Sequence, residues 1–213
     1  MDVLFDFIFH IDEHLQVLAA SYGPWIYAIL FAIVFAETGL VVTPFLPGDS
    51  LLFAAGALAG MGVLDPGIVT VVIFFAAIFG DAANYAIGRR LGPRIFVANA
   101  HDTFWHRLIN RDHLAQAHAF FERHGAMAII TGRFVPIVRT FVPFVAGAGT
   151  MTYSKFAMAN VTGAVLWVGI CVGAGYLFGQ VPIVKENFSL VALGIIVVSL
   201  IPLVVGYLRA RKS

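Results

Sequence analysis

The stretch from Glu37 to Gly56, ETGLVVTPFLPGDSLLFAAG, carries two carboxylates inside a run that is otherwise apolar. Prolines and glycines interrupt this run, so an unbroken helix is not expected to cross it. Charge and irregular backbone are both costly in hydrocarbon, because no water is present there to satisfy them. The stretch is therefore predicted to be functional, with Glu37 and Asp49 as its candidate acids. Its predicted bend is formed by Pro44, Pro47 and Gly48.

This stretch belongs to a chain whose composition suits a membrane. Hydrophobic residues make up 60% of the 213 residues and charged residues 12%, and the mean hydropathy is +0.91. A soluble domain of this length could not bury so much apolar surface. The predicted fold class is therefore an all-α integral membrane protein.

The apolar runs predict about four full spans and two segments that enter the membrane and return. Residues 44–62 and 126–150 are too broken to span, and a re-entrant hairpin suits both. Residues 94–124 combine arginines and histidines with an apolar side, as expected of amphipathic helices on a membrane surface. The spans are expected near Trp25–Gly39, Ile68–Leu91, Phe156–Phe178 and Phe188–Tyr207.

These segments form one predicted membrane transport domain over residues 1–213. In chain order it consists of an interfacial helix (1–21), a first repeat region (25–92), a cytoplasmic amphipathic segment (94–124), a second repeat region (126–180) and a last transmembrane helix (187–208).

The second broken stretch repeats features of the first. Phe53–Gly56 matches Phe144–Gly147, and at the same offset of 91 residues Tyr85–Gly88 falls on Tyr176–Gly179. Two motifs that keep one offset indicate an internal repeat of a hairpin followed by a long helix. Since a single span separates the hairpins, they are expected to enter from opposite faces. Inverted repeats of this kind place a transporter's substrate site near the midplane.

The distribution of basic residues predicts the orientation. With four spans, the N-terminus, residues 89–124, Lys155 and the basic tail share one side, which holds ten of the thirteen Lys and Arg residues. The positive-inside rule makes this side cytoplasmic, together with both termini.

The two acids of the first stretch lie twelve residues apart across the bend. If the bend reaches the midplane, both carboxyls share one partly hydrated cavity, which suits a proton-binding site. In the alternative interpretation, Asp49 or Ser50 only caps the returning half-helix and Glu37 reaches toward the interface.

Arg133 and Arg139 flank Pro136 in the second stretch, which Pro143 also interrupts. A guanidinium stays charged and matches phosphate with forked hydrogen bonds. Two of them beside an apolar wall predict a site for an anionic headgroup on an apolar tail. The alternative is a structural salt bridge to Glu37 and Asp49. Both interpretations are compatible, because a charge pair can exchange one partner for substrate.

Asp81 lies in the middle of a span, with Asn84, Tyr85 and Gly88 following at one-turn spacing. All four can therefore face the bundle interior. Asp81 either relays protons, as a third proton-coupling acid, or bonds to the irregular backbone of a hairpin, and both interpretations stay open. The predicted supporting residues are Ser50, Asn84 and Thr140.

Other chemistry lacks its motifs in this sequence. The five histidines from His101 to His124 form no tight ligand pair and no HExxH, so a solvated face is favoured over a metal site. No GxSxG, Walker or Cys–His pattern indicates a hydrolase or an ATP-driven pump. We predict no enzyme activity, metal, cofactor or nucleic-acid partner, and any uphill work must use an ion gradient.

At these residues the sequence resembles the DedA family of bacterial inner-membrane proteins (SNARE-associated or VTT-type). The resemblance rests on ETGLVVTPFLPGDSLLFAAGALAG, GDAANYAIGR, GRFVPIVRTFVPFVAG and the later GAVLW and GYLFG. It implies paired re-entrant hairpins, dependence on the proton motive force, and roles in envelope integrity and in resistance to cationic peptides. It also implies a functional acidic pair at Glu37 and Asp49 and an arginine pair at Arg133 and Arg139.

The resemblance further implies a substrate class, since some members are implicated in returning undecaprenyl phosphate to the cytoplasmic leaflet. The predicted function is therefore a proton-coupled flippase for a polyprenyl phosphate in the bacterial inner membrane. The alternatives are a general phospholipid scramblase, a proton-coupled small-solute or ion antiporter, and an assembly factor that only binds partners. A homo-oligomer is compatible with the glycine-rich helices.

Overall fold

The computed structural model describes residues 23–40, 48–97, 111–149 and 151–186. The predicted interfacial helix (1–21), the bend prolines Pro44 and Pro47, and the predicted last transmembrane helix (187–208) lie outside the described residues. Within the described ranges, every regular element is an α-helix. In chain order these are α1 (Trp25–Gly39), α2 (Gly48–Gly60), α3 (Pro66–Val97), α4 (Arg111–His124), α5 (Met127–Gly132), α6 (Pro136–Ala148), α7 (Tyr153–Gly179) and α8 (Pro182–Glu186).

Two of the helices, α3 and α7, are long and apolar enough to cross a membrane. The apolar part of α3, Pro66–Leu91, has 26 residues and a mean hydropathy of 2.0, and α7 has 27 residues and a mean hydropathy of 1.8. At 1.5 Å per residue each exceeds the roughly 30 Å of the hydrocarbon core. Helices α1, α2 and α6 are shorter apolar helices. The chain is thus an all-helical membrane protein.

The predicted helix near Ile68–Leu91 continues further than expected. The apolar span agrees with the prediction at Leu91, but the helix does not end there, because α3 extends through Pro93 to Val97. A proline inside a helix leaves the carbonyl four residues earlier without its partner. That residue is Arg89, which is exposed, so water can replace the missing bond. The cytoplasmic amphipathic segment predicted from residue 94 therefore begins within a helix.

The chain divides into two compact units. The first comprises residues 1–31, 45–73 and 168–213, and the second comprises residues 32–44 and 74–167. Each unit thus contains part of α1, part of α3 and part of α7, while α2 belongs to the first unit and α4, α5 and α6 belong to the second.

In the first unit, α2 packs closely on the last part of α7. Gly56 lies against the backbone of Val172, and Gly175 lies against the backbone of Phe53. These glycines lack a Cβ, so the two helix backbones approach more closely than larger residues would permit. The rings of Phe53 and Phe178 meet at 5.3 Å between centroids.

The turn before α3 is fixed by polar contacts within the same unit. The Oδ1 of Asp65 accepts a hydrogen bond of 2.8 Å from the backbone N–H of Ile68, and Pro66 occupies the first helical position. This is a typical helix start, because the cap satisfies one N–H and proline needs no partner for the missing one. The backbone N–H of Asp65 also donates to the hydroxyl of Tyr27 at 3.0 Å.

In the second unit, α6 packs on α3 through the same kind of contact. Gly88 lies against the backbone of Phe144, and Gly147 lies against the backbone of Tyr85. The hydroxyl of Tyr85 donates a hydrogen bond of 2.7 Å to the carbonyl of Met151. The core around these contacts also includes Ala117, Ile129, Val138, Phe141, Val142 and Phe156, to which α4 contributes its apolar face.

The two units use one packing arrangement, with a shift that the sequence motifs did not indicate. Phe53 and Phe144 are 91 residues apart in sequence. The backbone of Phe53 contacts Gly175, and the backbone of Phe144 contacts Gly88. Gly88 is therefore equivalent to Gly175 in its packing, whereas the motif match pairs it with Gly179. The prediction of a single offset is wrong for the long helices, whose equivalence is shorter by about one helical turn.

We expect Gly88→Val to destabilise the protein strongly, because a Cβ at this position would lie 2.8 Å from the carbonyl carbon of Phe144. Overpacking of this kind costs on the order of 1–3 kcal/mol or more. Gly173→Val is the matched control, since nothing lies within 4 Å of a Cβ built there. Thermal unfolding in detergent measures both variants. Equal melting temperatures would contradict the close contact.

Candidate functional site

The second unit contains a buried ion pair between Arg133 and Asp81. The Nη2 of Arg133 donates to the Oδ2 of Asp81 at 2.5 Å, and their side chains are 6% and 5% exposed. The same nitrogen donates to the Oδ1 of Asn160. A lone buried charge would be very unfavourable here, and the pair offsets much of that cost. Arg133 therefore connects the break between α5 and α6 to both long helices.

A second ion pair joins Arg139 on α6 to Glu37 near the end of α1. The Nη2 of Arg139 donates to the Oε1 of Glu37, and the side chains are 10% and 3% exposed. This pair connects elements that are 102 residues apart in sequence. Arg139 is the more accessible of the two arginines. It is therefore the better placed of the two to meet a ligand.

One face of α7 lies against both guanidinium groups. Asn160, Gly163 and Trp167 recur at helical spacing and are all buried. The indole of Trp167 lies 4.9 Å from the Cζ of Arg139 and 5.8 Å from that of Arg133, within the range of cation–π attraction. A Cβ at Gly163 would lie 3.0 Å from the Nε of Arg133, so glycine at this position leaves room for the arginine.

Neutral polar contacts fix the helices around these charges. The side-chain amide of Asn84 donates to the carbonyl of Thr38 at 3.1 Å and to that of Thr140 at 2.7 Å. Asn84 thereby joins α3 to α1 and α6. Gly80 contributes to the same junction, because its Cα lies close to Gly39 and a Cβ there would meet the side chain of Thr38.

The backbone break that holds Arg133 follows from its sequence. Pro136 is the first residue of α6, and Val135 before it is extended, as the residue before a proline prefers to be. Helix α5 consequently ends at Gly132, and Arg133 stands between two helices. Pro143 lies inside α6 and has no N–H for the carbonyl of Arg139.

A small cavity lies at the centre of this arrangement. Its volume is about 10 Å³, which is room for about one water molecule. The lining includes two arginines and an acid, so its chemistry is that of a site for a small polar or anionic group. The lining residues are Thr38, Asp81, Arg133, Arg139, Thr140 and Trp167.

The structure brings together Glu37, Asp81, Arg133, Arg139, Asn84 and Thr140 from the predicted set. The predicted structural pairing of Arg139 with Glu37 is observed, whereas Arg133 pairs with Asp81. Asp81 is predicted either to relay protons or to bond to the irregular backbone of a hairpin. The hydrogen bond observed for its carboxylate goes to the side chain of Arg133, beside the break between α5 and α6. Asp49 is exposed in the first turn of α2, and Ser50 follows it, both in the first unit. Gly48 begins α2 and is buried.

Sequence reasoning missed Thr38, Asn160 and Trp167. Asn160 had a usable signal, because a buried amide in an apolar span needs a partner and so marks a polar site. Trp167 had no such signal, since a tryptophan in a membrane helix is equally suited to lipid contact. Thr38 had none either, since its hydroxyl donates to the carbonyl of Val34 within its own helix.

The chain matches the VTT domain family over residues 46–177. It is also 53% identical to Protein DedA of Escherichia coli K12 over 212 residues, which covers 99% of this chain and 94% of that protein. The chain belongs to the DedA family. The predicted resemblance is thus confirmed. The matched range contains Asp81, Arg133, Arg139 and Trp167, while Glu37 lies before it and within the alignment to Protein DedA.

Further relatives of the chain are named as membrane proteins. The chain is 41% identical to the uncharacterized membrane protein Rv0364 of Mycobacterium tuberculosis H37Rv over 191 residues, 86% of this chain and 79% of that protein. It is 35% identical to the inner membrane protein YghB of Escherichia coli K12 over 162 residues, 76% of this chain and 72% of that protein. No solved structure matches the chain.

Asp81→Asn should destabilise the protein by about 3–5 kcal/mol, because it leaves the guanidinium of Arg133 buried without a counter-charge. Glu122→Gln is the matched control and should change stability by less than about 0.5 kcal/mol, since Glu122 is exposed on α4. Thermal unfolding in detergent compares the two. The pairing would be contradicted by a control as unstable as Asp81→Asn.

The double variant Asp81→Leu/Arg133→Met should recover most of the stability that Asp81→Asn loses. Replacing a buried ion pair by apolar residues of similar volume is often neutral or stabilising, whereas removing one partner is costly. The same thermal-unfolding assay tests this expectation. A double variant less stable than Asp81→Asn would show that the pair stabilises the fold beyond mutual charge compensation.

Proposed function

We propose that the protein transports a lipid phosphate, a polyprenyl phosphate such as undecaprenyl phosphate, across the bacterial inner membrane, coupled to the proton motive force. The observation that supports this proposal is the pair of buried arginines beside one cavity in an apolar helical unit. Guanidinium groups are suited to phosphate, and the apolar surroundings suit a lipid tail.

The two arginines have different roles in this proposal. Arg133 is held by two side chains, those of Asp81 and Asn160, so it is the more firmly held positive charge. Arg139 is more exposed and pairs with Glu37. The cavity has room for about one water molecule, so a phosphate group can enter only if Arg139 and Glu37 separate. Headgroup binding is therefore an exchange, in which the phosphate replaces a carboxylate on Arg139.

Proton binding by the acids drives this exchange. A protonated Glu37 no longer compensates the charge of Arg139, and the guanidinium then favours the phosphate. Asp81 is the second acid of the cluster and acts on Arg133 in the same way. Asp49 remains a proposed proton-coupling residue of the first unit. No step makes or breaks a covalent bond, so the protein is proposed to be a transporter and not an enzyme, without cofactor or metal.

The proposed architecture has two re-entrant hairpins and about four spans, arranged as an inverted repeat. The repeated glycine contacts between a short helix and a long helix support a repeat. The break at Arg133 between α5 and α6, which pack against each other, supports a hairpin in the second unit. The basic residues place both termini in the cytoplasm, and relatives named as inner membrane proteins support that location.

Purified protein in liposomes that contain a labelled polyprenyl phosphate tests the proposal. Arg139→Ala should abolish transport, because the exchangeable guanidinium is lost, and Arg139→Lys should recover it only in part, because lysine lacks the fork that grips phosphate. The control is Arg123→Ala, an exposed arginine of α4. Wild-type rates in Arg133→Ala and Arg139→Ala would refute the phosphate site.

The same assay separates the alternative functions. A scramblase would move phosphatidylcholine as fast as polyprenyl phosphate without any gradient. An antiporter for a small ion would move no lipid and would carry its ion against protons. The observation that favours the antiporter is the small volume of the cavity, which suits a small ion.

Trp167→Leu should raise the apparent KM for the lipid about tenfold or more and change the maximal rate less. The indole lies against both guanidinium groups, and such contacts contribute up to about 2 kcal/mol when they are desolvated. Trp167→Phe should have a smaller effect, since an aromatic face remains. Initial rates over a series of lipid concentrations measure this. Equal losses in both variants would mean that Trp167 only fills space.

A further inference from the structure

The charged side chains of this cluster sum to zero. Arg133 and Arg139 bring two positive charges, and Asp81 and Glu37 bring two negative charges. Among the described residues that line the cavity, Asp81, Arg133 and Arg139 are the charged ones, and Glu37 joins them through Arg139. Each side chain is at least nine-tenths buried, so the cluster is shielded from water.

Each of the four charged side chains comes from a different element of the second unit. Helix α1 brings Glu37, α3 brings Asp81, and α6 brings Arg139, while Arg133 comes from the break before α6. Helix α7 contributes Asn160 and Trp167, which carry no charge. Among the described residues, the buried cluster thus has two carboxylates for two guanidinium groups.

A buried net charge is costly in a membrane, where charges are neither hydrated nor screened. A bound phosphate adds one or two negative charges to a cluster that is already neutral. Protonation of one carboxylate removes one negative charge and frees one guanidinium for the phosphate. The loaded cluster is therefore neutral only if protons and phosphate charges enter in equal number.

We propose that this cluster takes up one proton for each negative charge of the phosphate that it binds, so that lipid transport is electroneutral. The inference rests on the proposed function and adds its stoichiometry and its driving force. Empty and loaded sites both carry no net charge. A pH gradient therefore drives the lipid, whereas a membrane potential acts only on a net charge that moves across the membrane.

The count of acids also points to a class of headgroup. A phosphomonoester carries close to two negative charges near neutral pH, and a phosphodiester carries one. Two carboxylates can take up two protons, so the cluster matches a monoester with both its acids. A diester would engage only one of them. The phosphomonoester lipid is accordingly the substrate that uses both ion pairs.

Proteoliposomes with the full-length protein and a trace of labelled polyprenyl monophosphate test the inference under two separate gradients. One sample has a pH difference at zero potential, clamped by potassium and valinomycin, and the other has a potential at equal pH. At equilibrium, one pH unit should enrich the lipid on the alkaline side by about tenfold per coupled proton, approaching a hundredfold for two. The potential should cause no enrichment.

Glu37→Gln supplies a second measurement, since the empty cluster then carries one positive charge. Its lipid movement should respond to the potential and depend less on the pH gradient. The matched control is Glu122→Gln, an exposed glutamate of α4, which should behave as wild type. Proton uptake in weakly buffered detergent, measured on adding polyprenyl monophosphate, should fall by about one proton in Glu37→Gln and provides a readout that does not need transport.

The outcomes separate the two proposals. Lipid movement by the wild type that follows the potential at equal pH overturns electroneutral coupling and leaves lipid transport intact. Binding without proton uptake also overturns it. If no phosphate lipid is moved or bound, the proposed function is refuted, and this inference is refuted with it.

Discussion

The need of a buried guanidinium for a counter-charge is the constraint on which the second unit depends. Arg133 stands at a backbone break, and its charge is compensated by Asp81 on α3 and bound by Asn160 on α7. Three parts of the chain must therefore converge on one side chain. Since an unpaired buried charge is so costly, this requirement limits how the helices can be arranged around it.

The small residues make that convergence possible. Gly163 leaves room for the Arg133 side chain, Gly80 lets α3 approach the end of α1, and Gly88 and Gly147 bring α6 against α3. In a membrane, helix association depends on close packing and interhelical hydrogen bonds more than on exclusion of water. The glycine contacts bring backbones together, and the polar side chains select which helices meet.

The site that results contains two ion pairs whose charges sum to zero, and its charged side chains are largely buried. Arg139 and Glu37 are joined by a single ion pair beside a cavity too small for a phosphate group. The chain belongs to the DedA family, and the alignment to Protein DedA includes all four charged residues of the site.

The membrane class, most of the described helices and most of the charged site residues are predictable from the sequence alone. Apolar composition and helix-length runs depend on local properties, and the bounds of α1 agree with the prediction to the residue. Four of the five predicted ionisable residues meet in one cluster, because an intramembrane charge is rarely tolerated without a role. Pro136 likewise indicated the interruption between α5 and α6, whereas the interruption predicted at Pro143 is wrong, because Pro143 lies inside α6.

The ion-pair partners of the two arginines follow from the tertiary structure and not from the sequence. One interpretation of the sequence paired the arginines with Glu37 and Asp49, but Arg133 is bound by Asp81, 52 residues away. The tertiary structure also revealed the roles of Asn160 and Trp167. It further showed that the packing equivalence of the long helices differs from the sequence match by about one helical turn. Pairing depends on which helix faces meet, and such meetings are set by packing over long sequence separations. Local composition does not encode them.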